Sequence, residues 1–167
     1  MLGLQMRNVI SGNLFQNLSD GVCAISRGPF IRQNVISNNT FINTSAPVMF
    51  EASSVYNSIK GNTMNSCYIG IILGGNVSRN RIYKNNISHC RSCGIVGVGS
   101  SWNDIFANTI SDSFVGISLD QSCHFNHLAY NNLERNGYFV FPYVYLLLDG
   151  NGRIGCLKSA AERPDGG

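Results

Sequence analysis

A short pattern, Asn-x-apolar-x-x-Asn-x-apolar, opens at Asn8, Asn34, Asn57, Asn80, Asn103 and Asn126, and this recurrence limits the fold more than any other feature of the chain. The first step is 26 residues and the next four are 23 each. Two residues into the copies stand Ile10, Ile36, Ile59, Ile82, Ile105 and Leu128; five in stand Asn13, Asn39, Asn62, Asn85, Asn108 and Asn131; seven in stand Phe15, Phe41, Met64, Ile87, Ile110 and Leu133. Every column is chemically uniform. A period this short does not suit paired helices, but it accommodates three short strands joined by tight turns. The expected fold is therefore all-β: a right-handed parallel β-helix solenoid of about six coils, stacked at the inter-strand spacing of roughly 4.8 Å into a rod about 29 Å tall.

Stacking places equivalent residues directly above one another, so each apolar column becomes part of the core, and each buried Ile or Leu contributes about 1.5 to 3 kcal/mol. Asparagine occurs at 21 positions. A buried amide without partners costs about 1 to 3 kcal/mol; an amide that donates to the asparagine of the next coil and accepts from the one before avoids that cost. Asn13, Asn39, Asn62, Asn85, Asn108 and Asn131 are expected to form such a ladder, each in a left-handed turn conformation that asparagine tolerates. A third strand per coil is marked by Gly70 to Leu73, Gly94 to Val96 and Gly116 to Leu119. The longer first step predicts a loop around Ser26 to Phe30.

The repeat fails after its sixth copy, where Asp149 and Ile154 replace the two asparagines of a seventh. The run Tyr138 to Leu148 is expected to form the last strand and cover that end, giving one domain over residues 1–158 with a disordered tail over 159–167. Residues 1–7 are too few for a helical cap, so the chain is expected to be either a module of a longer β-helix or part of an assembly. Charged residues make up 13% of the chain and the net charge is +3, so bulk charge implies neither nucleic acid nor an anionic membrane as partner. The longest apolar run has 11 residues and includes Pro142, too short for a membrane span. Met1 to Asn8 has no signal-peptide character.

The six copies, from Asn8 to about Asn136, resemble the repeats of the pectin-lyase-like superfamily, particularly the Asn-rich coils of NosD-like and carbohydrate-binding CASH domains. The resemblance implies an extracellular or periplasmic β-helix whose relatives bind, cleave or epimerise polysaccharides. Phage tailspikes and a copper-site accessory protein also belong to that superfamily. The chain has no match to the Asp-Pro-His segment of alginate C5-epimerases or to the aspartate clusters that hold calcium in pectate lyases. The repeat therefore specifies fold far more strongly than function.

Residues 23 apart are neighbours in such a rod, and two outward columns combine acid and base: His89, Asp112, Arg135 and Arg81, Asp104, His127. A polysaccharide lyase or C5-epimerase acting on an acidic glycan needs a base for the proton beside a uronate carboxylate and a cation to hold that carboxylate. A surface ion-pair ladder uses the same residue types. Tyr83 and Phe106 share an outward column with Lys60 before them and Tyr130 one position off the next copy, a platform suited to an acidic polysaccharide or to stabilising the sheet itself. Tyr68 and Phe114 are alternatively a patch buried in a homotrimer.

Cys67 and Cys90 occupy one column in adjacent coils, within disulfide reach, and a thiol ladder fits equally well. His89, Cys90 and Cys93 do not make a metal site, because His89 and Cys90 should point to opposite faces, and no cofactor is expected. Sequons at Asn17, Asn38, Asn43, Asn76 and Asn86 follow from composition alone. The leading functional expectation is a noncatalytic polysaccharide-engaging surface, followed by a lyase or epimerase and then by a structural spike or assembly module.

Overall fold

Each copy of the repeat must turn its apolar residues at the third and eighth positions toward one interior, and a strand of three residues centred on each does so. In the computed structural model, which describes residues 2–3, 6–25, 30–51 and 53–141, these strands stack coil upon coil into parallel sheets. The first sheet contains Val9–Ser11, Val35–Ser37, Ser58–Lys60, Arg81–Tyr83, Asp104–Phe106 and His127–Ala129. The second contains Leu14–Gln16, Thr40–Ile42, Thr63–Asn65, Asn86–Ser88, Thr109–Ser111 and Asn132–Glu134. The third contains Leu2–Gly3, Asp20–Ala24, Ala46–Glu51, Ile69–Gly74, Cys93–Val98, Val115–Leu119 and Tyr138–Phe141. The fold is the expected parallel β-solenoid with a spacing of 23 residues, and the described residues include no helix.

Register follows the repeat. Ile59 pairs with Ile36 on one side and Ile82 on the other, and Met64 lies between Phe41 and Ile87. These columns are fully buried and form the core with Val48, Ile71, Ile95 and Ile117 from the third sheet. The extra three residues of the first step leave register intact: Val9 still pairs with Val35. Residues 26–29, in the expected loop, lie outside the described residues, as do positions 142–148 of the run expected to cover the end and the whole 159–167 tail. No helix of the described residues is long and apolar enough to cross a membrane.

Two asparagine ladders run through the rod. The Asn62 side chain donates to the Ile36 carbonyl (3.0 Å) and to Oδ1 of Asn85 (3.0 Å), while its own Oδ1 accepts from both the backbone and the side chain of Asn39 (3.0 and 3.1 Å). The opening asparagines Asn34, Asn57, Asn80 and Asn103 repeat this arrangement at the preceding turn. No buried side-chain polar atom among the described residues lacks a partner. The expectation that the ladder asparagines adopt the left-handed conformation is corrected here. It is the residue before each one that does so: Gly12, Asn38, Gly61, Lys84, Ala107 and Tyr130, at φ between 52° and 71°. The ladder asparagine itself stands between that residue and the first residue of the next strand, with its N–H and side chain both directed along the rod axis to the next coil.

A glycine column in the third sheet is set by contact rather than by turn geometry. A Cβ on Gly94 would lie 2.4 Å from Cγ2 of Ile110 and 2.7 Å from the Gly116 carbonyl oxygen, and Gly21 and Gly70 are equally crowded by Phe41 and Ile87.

Replacing Asn108 with alanine would leave the Asn85 N–H, one Asn85 amide hydrogen and the Ile82 carbonyl without their partners. Asn108→Ala is expected to lower stability by about 3 kcal/mol or more in urea unfolding, and Asn13→Ala, at the exposed end of the same ladder, by about 1 kcal/mol or less. Gly94→Ala is expected to cost about 1 to 3 kcal/mol, the range for overpacking a core.

Candidate functional site

Outward residues of the first sheet form rows along the rod. One row carries Lys60, Tyr83 and Phe106 in direct register, and the rings of Tyr83 and Phe106 stack with centroids 4.9 Å apart and planes 4° from parallel. The parallel row carries Arg81, Asp104 and His127, also in register. The Arg81 guanidinium reaches over both rings, with its carbon 5.2 Å from each centroid. Asp104 and His127 approach to 3.5 Å. Tyr130 does not join the aromatic row. Ala129 takes the position beside Phe106, and Tyr130 stands exposed at the following turn, at φ 55°.

The other acid–base column is also brought together, but at a turn rather than on a sheet. His89, Asp112 and Arg135 are left-handed at φ 55°, 53° and 49°. Arg135 donates two hydrogen bonds to the Asp112 carboxylate, at 2.7 and 2.8 Å. These bonds and one from Ser111 hold Asp112 down at about 2, well below the ordinary carboxylate range. A carboxylate so strongly stabilised in its charged form is a weak proton acceptor.

Cys67 and Cys90 share a column as expected, and in the structure both are buried with free thiols. Both serve a turn. The Cys67 thiol donates to the Asn65 carbonyl (3.4 Å), as Ser113 Oγ does to the Ser111 carbonyl (3.0 Å) one coil beyond Cys90. The Cys90 N–H donates to Ser113 Oγ, and the Ser113 N–H to Asn136 Oδ1. Each thiol thus occupies the place of a hydroxyl or amide in a third polar column. Cys90 is pushed up to about 12 by burial and by neighbouring Cys67. His89 is exposed where Cys90 is buried, so the two point apart as expected. Among the described residues no three His, Cys, Asp or Glu side chains come together to hold a metal ion.

Tyr68 and Phe114 are both exposed, with Arg91 in the coil between them, and Phe114 meets Tyr138 edge to face at 5.6 Å. Sequence reasoning missed a further surface column. The residues just before the opening asparagines, Arg7, Gln33, Tyr56, Arg79, Trp102 and Phe125, form the turn into the first sheet, all left-handed at φ between 54° and 60°. Trp102 and Phe125 stack at 4.4 Å, and Arg79 Nη1 donates to the Tyr56 hydroxyl at 3.0 Å. The spacing was visible in the sequence, but this column mixes residue types and so carries no motif.

Charge is segregated around the rod. Among the described residues, Arg7, Lys60, Arg79, Arg81 and Lys84 lie on the first sheet or the turns that bound it, with Asp104 the one carboxylate there, while Arg32 lies in a short strand that pairs with Ser54–Val55 and Arg91 and Arg135 lie elsewhere. Asp20, Glu51, Asp112, Asp120 and Glu134 all lie elsewhere.

No curated protein matches this chain. Its asparagine-laddered coils do fit a family model: residues 1–122 match the one described as periplasmic copper-binding protein (NosD), and the chain belongs to that family of right-handed β-helix proteins.

Proposed function

We propose that the chain is a noncatalytic module that engages polysaccharide through the outward face of its first sheet. The observation that carries this reading is the stacked pair Tyr83 and Phe106 with the Arg81 guanidinium over both rings, on the face that gathers most of the described cations. Aromatic surfaces present apolar area to the C–H faces of sugars, and adjacent cations hold carboxylate or sulfate groups. The family's description as periplasmic supports an extracytoplasmic location, where such polymers are met.

That description also names copper, and the described residues do not fit a copper centre. A coordinating thiol must give up its proton, whereas burial keeps Cys90 protonated to about 12. His89, His124 and His127 stand on three separate columns, and no ligand cluster forms among the described residues.

A lyase or epimerase is the second reading, confined to Arg81, Asp104 and His127, because that column lies beside the aromatic row. Mass spectrometry of polysaccharides incubated with the protein in heavy water separates the two. The noncatalytic reading expects neither fragments nor deuterium uptake. Products that vanish in Asp104→Ala but persist in Asp112→Ala would replace binding with catalysis. Affinity electrophoresis in polygalacturonate gels is expected to show about tenfold weaker binding for Tyr83→Ala or Phe106→Ala, the loss of roughly 1.4 kcal/mol of stacking, with Asp112→Ala unchanged.

A further inference from the structure

We infer that the turn column Tyr56, Arg79, Trp102 and Phe125 is a second wall of the same binding face, and that its ligand is an acidic polysaccharide lying along the rod axis. This rests on the polysaccharide reading above.

The column stands at a coil corner, and its side chains rather than its backbone set it apart. All four residues are left-handed, at φ 56°, 56°, 60° and 54°. That conformation costs little for glycine or asparagine and considerably more for a bulky side chain. At the turn between the first and second sheets, Gly12, Asn38 and Gly61 give way in later coils to Lys84, Ala107 and Tyr130, and at the turn after the second sheet Asn17 and Asn43 give way to Ser66, His89, Asp112 and Arg135; among the described residues only the column of Tyr56, Arg79, Trp102 and Phe125 places three aromatic rings at such turns. Burial does not compensate the aromatic residues for this strain, since Tyr56, Trp102 and Phe125 are 55%, 57% and 51% exposed. Exposed aromatic rings lined up beside cations present a surface that a ligand can stack on.

The position of the column indicates which ligand. It runs parallel to Lys60, Tyr83 and Phe106, with Arg81, Asp104 and His127 in the row between. In two successive coils, about 4.8 Å apart, the strip is bounded on both sides by planar side chains, Arg79 with Tyr83 and Trp102 with Phe106, a spacing that suits a polymer of repeating rings. Arg79, Arg81 and Lys60 supply positive charge along it, so the polymer is anionic. Single-stranded DNA is also anionic and stackable, but the Asp104 carboxylate in mid-strip calls for a hydroxyl donor, which every sugar of a polysaccharide carries and the backbone of single-stranded DNA lacks.

The test uses Trp102→Asn and Arg79→Asn, since asparagine is already at home in the left-handed turns of this rod. The full chain would be run in affinity gels containing polygalacturonate or dextran and titrated with oligothymidylate, with thermal unfolding as the control for folding. The expected result is retardation by polygalacturonate and not by dextran, about tenfold weaker in each variant, at an unfolding temperature no lower than that of the wild type. Unchanged affinity in both variants, with loss in Phe106→Ala, would overturn the second wall and leave the polysaccharide reading standing. Equal retardation by dextran would overturn the acidic assignment. Tighter binding to oligothymidylate than to polygalacturonate would overturn the ligand class, and no retardation by either polysaccharide would remove the reading on which the inference stands.

Discussion

The buried side-chain amide, hydrogen-bonded to its copy in the next coil, is the constraint on which the rest of this molecule depends. Each interior ladder asparagine makes four bonds, two donated and two accepted, and these reach both neighbouring coils. One coil out of register would strand donors and acceptors in the core, where each costs about 1 to 3 kcal/mol. Coil length is therefore held constant, and extra residues are excluded to places such as the segment after Ala24, where the register on either side stays unbroken. The ladders also explain the turns. An asparagine aimed along the axis requires its predecessor to reverse the chain, so the left-handed residue always stands one position earlier.

Strict register turns a linear sequence into surface columns, and function on such a rod is organised in rows rather than in a pocket. The two acid–base columns differ only in where the repeat puts them. One occupies a turn, where Asp112 is held by the Arg135 guanidinium and becomes an ion pair. The other lies on a sheet face between two rows of planar side chains, with Arg81 committed to the rings of Tyr83 and Phe106. The same residue types thus serve stability at one position and are available to a ligand at the other. Family membership does not make this distinction, because it reflects the asparagine and isoleucine columns that build the interior.

The fold was legible because its determinants are uniform. Six isoleucine or leucine residues and two sets of six asparagines recur at one spacing, and each reports a single physical requirement: burial for the first, amide pairing for the second. The candidate site was only half legible. Tyr83 and Phe106 stood out as two aromatic residues in one column, whereas Tyr56, Arg79, Trp102 and Phe125 alternate in chemistry and resemble no motif. The thiols were ambiguous for a related reason. Cysteine in a column fits a disulfide or a small polar rung, and the hydrogen bonds made by Ser113 and Asn136 in the same column show what such a rung does.

The sequence by itself determined the period, the inward columns and the identity of the ladder, since burial and hydrogen-bond satisfaction act on every coil alike. Tertiary structure decided which residues take the left-handed turns, which aspartate is consumed by an arginine, and which side of the rod collects positive charge and exposed rings. Those outcomes depend on the angle at which a side chain leaves the coil and on what stands one coil above or below it. Spacing alone does not encode these quantities.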